Sequence, residues 1–363
     1  MKKLILSLLL IIFPTIALAE PIRVVLLNPG GNHWFWNMMI DYMQAAAEDL
    51  DMQLEVISSD RDHYLTVQQA KEVVSRKIPP DYIITGNEKS NAGQVIRVAD
   101  EAGVKVFLFN NGFVNVNDIE AYGQPREKYK HWIGEMIPNN FSAGYQIGET
   151  LINRALESHS TDQEGKIPIA AIAGAFATHA SSERVRGLRA VVGEFADQVE
   201  LLQVIPSNWT YERAEKIGKA LFERYKNVRI IWGANDTTAM GAMSAANSLG
   251  KKPGEDVFFG GCGWYGPALE MIHKGTLTTS VGGHFMEGGW AMVLLHDYHH
   301  GKDFISDPIE TKMYSIDKRN IEKYSKTFVK QQWQNIDFKK FSKVHNPNLK
   351  KYDFSLEAVL QQF

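Results

Sequence analysis

From residue 22 onward, short runs, most of them apolar and nearly continuous, alternate with longer segments whose apolar positions recur every three to four residues. The short runs lie at 22–27, 53–57, 82–85, 104–109, 167–173, 199–205, 228–232, 257–261 and 277–281. Continuous apolar runs of this length mark strands covered on both faces, as in parallel sheets. Between them, Trp36, Met39, Ile40, Met43, Ala47 and Leu50 share one helical face. Similar helical patterns occupy 65–77, 92–102, 142–156, 181–195, 211–225 and 237–249. Strict alternation of strand and helix predicts an α/β fold with parallel sheets and right-handed crossovers.

The rhythm breaks after Gly112, in a stretch rich in Asn, Gly and Pro that runs to about residue 130, and then restarts. Two Rossmann-like lobes are therefore expected. The tail changes character again. Residues 331–363 are rich in Lys, Asn and aromatics without strand–helix rhythm, which predicts an appended C-terminal segment over 327–363.

The first residues, MKKLILSLLLIIFPTIALA, combine two lysines, a short apolar run and Ala-Leu-Ala. This is the pattern of a signal peptide over 1–19, cleaved after Ala19, and places the mature chain in the periplasm. A formal net charge of −3 gives no electrostatic reason to expect nucleic acid as a partner. The single cysteine, Cys262, excludes an internal disulfide.

In open α/β sheets, ligands bind where strands end and loops lead into helices. Those segments here are rich in Asn, Trp, His and Gly and carry one prominent base, Arg184. Aromatic rings cover the apolar faces of a sugar or polyol, and Asn and Arg pair with its polar edges. The NPGGNHWFW turn at 28–36 is the clearest case. Helical phase directs Phe35 toward a ligand and lets Trp36 continue the core stripe.

The order strand, aromatic pair, helix, then ERVRG at 183–187 and GANDTTAMGA at 233–242, resembles periplasmic sugar-binding proteins of the ribose-receptor type. The autoinducer-2 receptor is a longer, divergent relative of that type. The resemblance covers residues 22 to about 314. It implies two lobes joined by a three-crossover hinge, with the ligand cleft between them. The lobes would be 20–135 with about 284–310, and 136–283 with about 311–326.

The family's ligand contacts fall on His33, Phe35, Trp36, Arg184, Trp209 and Asn235. An Asp-Arg pair of the family falls on Asn110 and Asn111. A later Asp falls on Gly263, beside Trp264, and a Gln falls on Gly283, beside His284. Two acidic positions and one basic position have thus become neutral, which implies a more aromatic cleft for a modified sugar, a furanosyl signal or a sugar acid.

The implied role is a monomeric solute-binding protein that serves an inner-membrane ABC permease. The alternative is a sensor that reports to a membrane histidine kinase. A DNA-binding regulator would need a helix-turn-helix where the signal peptide stands. A secreted enzyme would need a catalytic constellation, and none is expected. No cofactor or metal is expected. His296, His299 and His300 read as surface histidines at a helix end, Cys262 as a buried thiol, and Asp236 as a helix cap. The glycines around His284 and Glu287 read as hinge residues.

Overall fold

The computed structural model describes residues 20–363, apart from 114, 160, 162–164, 306–308 and 310. The expected signal peptide lies outside the described residues. The first sheet contains β1 (Ile22–Asn28), β2 (Met52–Ser58), β3 (Tyr82–Thr85), β4 (Lys105–Phe109) and β5 (Trp132–Met136). They run parallel in the order β2-β1-β3-β4-β5. Helices α1 (Trp34–Asp49), α2 (His63–Val74), α3 (Ala92–Glu101) and α4 (Val116–Tyr122) connect them.

The second sheet contains β6 (Ile167–Ala173), β7 (Val199–Pro206), β8 (Ile230–Gly233), β9 (Phe258–Cys262), β10 (Thr279–Gly282) and β11 (Tyr314–Asp317). Its order is β11-β10-β9-β8-β6-β7, and only β11 is antiparallel to its neighbour. Helices α5 (Asn140–Glu157), α6 (His179–Glu194), α7 (Tyr211–Arg224), α8 (Asp236–Ser248) and α9 (Gly266–Lys274) belong to this half. The two halves share the α/β architecture that strand–helix alternation predicts.

The chain crosses between the sheets three times. It passes from β5 to α5, from β10 to α10 (Glu287–His299), and from α10 back to β11. The first and third crossings touch where Pro138 bridges Thr311 and the Asn139 amide donates to the Thr311 carbonyl at 3.1 Å. At the second, Gly283 has φ +99°, a conformation that a side chain would strain. Gly288 and Gly289 do something else. A Cβ at either would lie 2.4–2.5 Å from Met43 or Tyr42 of α1, so these glycines let α10 pack closely on α1.

The C-terminal segment is built into the body. Helix α11 (Ile321–Lys330) runs across residue 327 and is followed by 3-10 turns at Trp333–Asn335 and Phe338–Phe341 and by α12 (Leu356–Leu360). Buried Asp297 on α10 accepts hydrogen bonds from the Ser342 hydroxyl, the Lys343 amide and the Tyr352 hydroxyl. Trp290 stacks on Phe354 with ring centroids 4.9 Å apart. The surface reading agrees with exposed His299 and His300 and is corrected for His296. His296 is buried, stacks between His300 and His345, and contacts Asp297 at 3.2 Å, because the tail covers this end of α10. Among the described residues, no group of three or more His, Cys, Asp or Glu is arranged to hold a metal ion.

Candidate functional site: a cleft between the two sheets

Between the sheets lies a narrow cavity of about 60 Å³ that opens to solvent at its mouth. Every parallel strand from β1 to β4 and from β6 to β10 delivers lining residues at or just beyond its C-terminal end. The site is thus where parallel α/β topology puts ligands.

On the first half, α1 begins at the aromatic turn. His33 is its N-cap, and its Nδ1 accepts from the Phe35 amide at 3.3 Å. Its proton therefore sits on Nε2. Burial, aided by Arg61, lowers the His33 pKa to about 4 and keeps the ring neutral. Phe35 stacks on His284 of the second crossing, with centroids 4.6 Å apart. Trp36 lines the cavity and is also buried in the core, near Phe109. A Cβ on Gly30 would meet Trp36 at 1.7 Å, so the turn needs glycine there.

Asn110 and Asn111 form the cleft end of β4. Asn111 Nδ2 donates to Asn110 Oδ1 at 2.9 Å. Asn111 Oδ1 accepts from the Ala180 amide at 3.1 Å, a bond from one half to the other. Asn110 has φ +62°, a conformation Asn tolerates better than most residues.

The other wall is organised by Arg184 on α6, which is buried. Its Nε donates to Asn140 Oδ1 at 2.9 Å and its Nη1 to the Ala234 carbonyl at 2.9 Å. Its Nη2 lies 3.3 Å from His284 Nε2. A guanidinium only donates, so His284 Nε2 accepts and Nδ1 carries the proton. Burial and then Arg184 push the His284 pKa well below its usual value, which keeps it neutral. Trp209, at φ +68°, places its ring 5.9 Å from the Arg184 guanidinium carbon and closes over Gly174. Asn235, not Asp236, is the cap of α8, and its Oδ1 accepts from the Thr238 amide at 2.8 Å. Asp236 instead accepts from the Tyr265 amide and the Ser280 hydroxyl, and burial raises its pKa to about 6.

Nine of the ten residues expected at the site line this cavity: His33, Phe35, Trp36, Asn110, Asn111, Arg184, Trp209, Asn235 and His284. Trp264 does not. It is buried, donates from Nε1 to the Ser280 and Tyr314 carbonyls, and packs on Tyr324 and Phe328. Trp34 comes from the opposite half in its place. It stacks on Tyr265 at 4.5 Å and donates from Nε1 to the Thr237 hydroxyl at 2.9 Å. Its ring fills the space above Gly263, where a Cβ would lie 2.3 Å away. No side chain fits where the resemblance implies an Asp.

Arg61, Glu88, Thr178, Ala180 and Cys262, none singled out as a contact in the sequence, complete the lining. Glu88 is buried, with Arg61 4.0 Å away, and burial raises its pKa. Cys262 is the last residue of β9, and burial holds its thiol protonated, with a pKa of about 12. The thiolate needed for nucleophilic chemistry is therefore suppressed. Glu287 is fully buried where the crossings meet, and burial keeps its carboxyl protonated.

Residues 24–303 match the periplasmic binding protein domain family. The chain belongs to the periplasmic binding proteins. This binding protein is similar to a solved periplasmic sugar-binding protein from Pseudomonas fluorescens, at 31% identity and a TM-score of 0.82. That likeness covers 93% of this chain and 99% of the other. It is 22% identical over 223 residues to the D-apiose import binding protein of Paraburkholderia graminis, spanning 61% of this chain and 64% of that relative. It is 31% identical over 105 residues to the D-allose-binding periplasmic protein of Escherichia coli, spanning 29% of this chain and 33% of that relative. Among the described residues, no helix is long and apolar enough to cross a membrane.

Proposed function

We propose that this protein is a periplasmic receptor that closes on one small sugar-like ligand and presents it to an inner-membrane ABC permease. The observation that carries this reading is the shared cleft. Stacking faces come from Phe35 on one half and Trp209 on the other, and Arg184 stands between Trp209 and His284. Rings on both sides and a central polar cluster suit a compact polyhydroxylated molecule. The sugars in the names of similar proteins support the same reading.

Residues 20–135 with about 284–310 would move against 136–283 with about 311–326. Ligand contacts made to both halves would shift the population toward the closed form. Binding, without turnover, is the expected activity of a monomer.

The test is mass spectrometry of small molecules released from the purified protein, followed by calorimetry with what is found. A monosaccharide-sized ligand bound at one site is expected, and Arg184→Ala should weaken it at least 100-fold. Full affinity in that variant, with the fold intact by circular dichroism, would remove the cleft from consideration. Co-purification with an ABC permease, and not with a histidine kinase, is the expected partner result.

A further inference from the structure

The cleft offers many hydrogen-bond donors and few acceptors, and the imbalance is fixed by protein contacts. Asn235 Oδ1 and Asn111 Oδ1 face backbone N–H groups, which can only donate, so neither amide can be turned over. Asn111 Nδ2 then faces Asn110, whose Oδ1 must accept. Each of the three side-chain oxygens already accepts one protein hydrogen bond, which leaves a single lone pair apiece for a ligand. The Nδ2 groups of Asn110 and Asn235 have no partner among the described residues.

Arg184 commits three of its five N–H groups to Asn140, Ala234 and His284, leaving two free. Buried His284 adds an Nδ1–H with no partner among the described residues. The Thr178 hydroxyl is already donating to the Ala175 carbonyl at 2.7 Å. Among the described residues Glu88 is the sole carboxylate lining the cavity, and Arg61 stands beside it.

Each hydroxyl of a neutral sugar that accepts from such donors brings a hydrogen that needs its own acceptor. A carboxylate accepts up to four hydrogen bonds and brings none. It also suits the guanidinium in charge and shape. The place where an acidic side chain would restore the balance, above Gly263, is filled by Trp34.

We propose that the ligand is a sugar acid whose carboxylate is held by Arg184 with the free amide nitrogens of Asn110 and Asn235. This rests on the receptor reading above and narrows its ligand class.

The test is calorimetry at pH 7 with matched pairs: D-galactose and D-galacturonate, D-ribose and D-ribonate, D-allose and D-allonate. The acid of the best pair should bind at least tenfold more tightly than its neutral partner. Asn110→Asp exchanges a donor for an acceptor at the same volume. It should weaken the acid at least tenfold more than it weakens the neutral partner, so a general folding defect is recognised by equal loss of both. Equal or tighter binding of the neutral sugar, a neutral ligand released from the purified protein, or equal loss in Asn110→Asp would each overturn the sugar acid and leave the receptor standing. No released ligand and no binding in any pair would overturn both.

Discussion

Trp209 and Trp264 follow strands of the same sheet, in loops at the same edge, with nearly the same backbone, at φ +68° and +60°. One lines the cleft and the other is sealed into the core. What differs is the cover. Trp209 follows β7, the outermost strand, and its ring lies over Gly174 and beside Arg184. Trp264 follows β9, which has β10, β11 and then α11 beyond it. Its ring is trapped under Phe328, 4.8 Å away, and its indole N–H is taken by two carbonyls. The strand-end rule places a residue at the cleft's rim. Whatever packs on the outside of the sheet decides which way its side chain turns.

The largest effect expected from this contrast is on stability. Trp264→Ala empties a fully buried site and should cost about 3–5 kcal/mol, read as a shift of the urea midpoint. Ligand affinity, measured well below the unfolding temperature, should stay within about threefold. A large loss of affinity at unchanged stability would return Trp264 to the cleft.

The clamp under the same loop gives the second effect. Asp236 holds the Tyr265 amide and, through the Ser280 hydroxyl, the Trp264 amide. Burial raises its pKa from 3.8 to about 6, so the folded state binds the proton more tightly than the unfolded state. Its contribution is therefore present below about pH 4 and is lost as pH rises through 6, on the order of 2–3 kcal/mol in all. Asp236→Asn cannot titrate. Its stability relative to the wild type should rise between pH 4 and 7, whereas the Trp209 loop has no such dependence. A constant difference across that range would show that burial does not hold the proton.

Trp209→Ala should do the reverse of Trp264→Ala. Its ring is only partly buried, so stability should fall by no more than about 1 kcal/mol. Affinity should fall at least tenfold, because the ring is one stacking face and lies beside the guanidinium of Arg184. If the two alanine variants gave the same pattern, cover would not be what separates the loops.

The same reasoning explains how far the sequence could be read. β1, β3, β4, β6, β8 and β9 stand out because buried parallel strands are nearly continuous apolar runs, and the edge strands β2 and β7 keep enough apolar residues to be seen despite Gln53, Glu55, Glu200 and Gln203. β5 is absent from those runs because Gly134 and Glu135 interrupt it. β11, with Tyr314, Ser315 and Asp317, has the mixed pattern of an edge strand. Arg61 was missed because it follows β2, the exposed edge of the first sheet, whose loop has no aromatic or glycine signal. His296 looked like a surface residue because its cover, residues 342–352, is distant in sequence and has no strand or helix pattern of its own.

Trp34 left the least trace of all, since its partners Thr237 and Tyr265 lie more than 200 residues away in the other half. It supplies the smallest and most specific test of the contrast. If Trp34 replaces Trp264 at the cleft because the two halves close over Gly263, its indole hydrogen bond to Thr237 belongs to the closed form alone. Trp34→Phe keeps the stack on Tyr265 and deletes that bond, which is worth about 1 kcal/mol, or roughly fivefold in affinity. Thr237→Val deletes the same bond from the other side and should cost the same, and the double variant should lose no more than either alone. Neither change should move the urea midpoint of the ligand-free protein if its open form lacks the bond. Additive losses would mean that the two residues act on the ligand separately, and that Trp34 lies over Gly263 without latching the cleft.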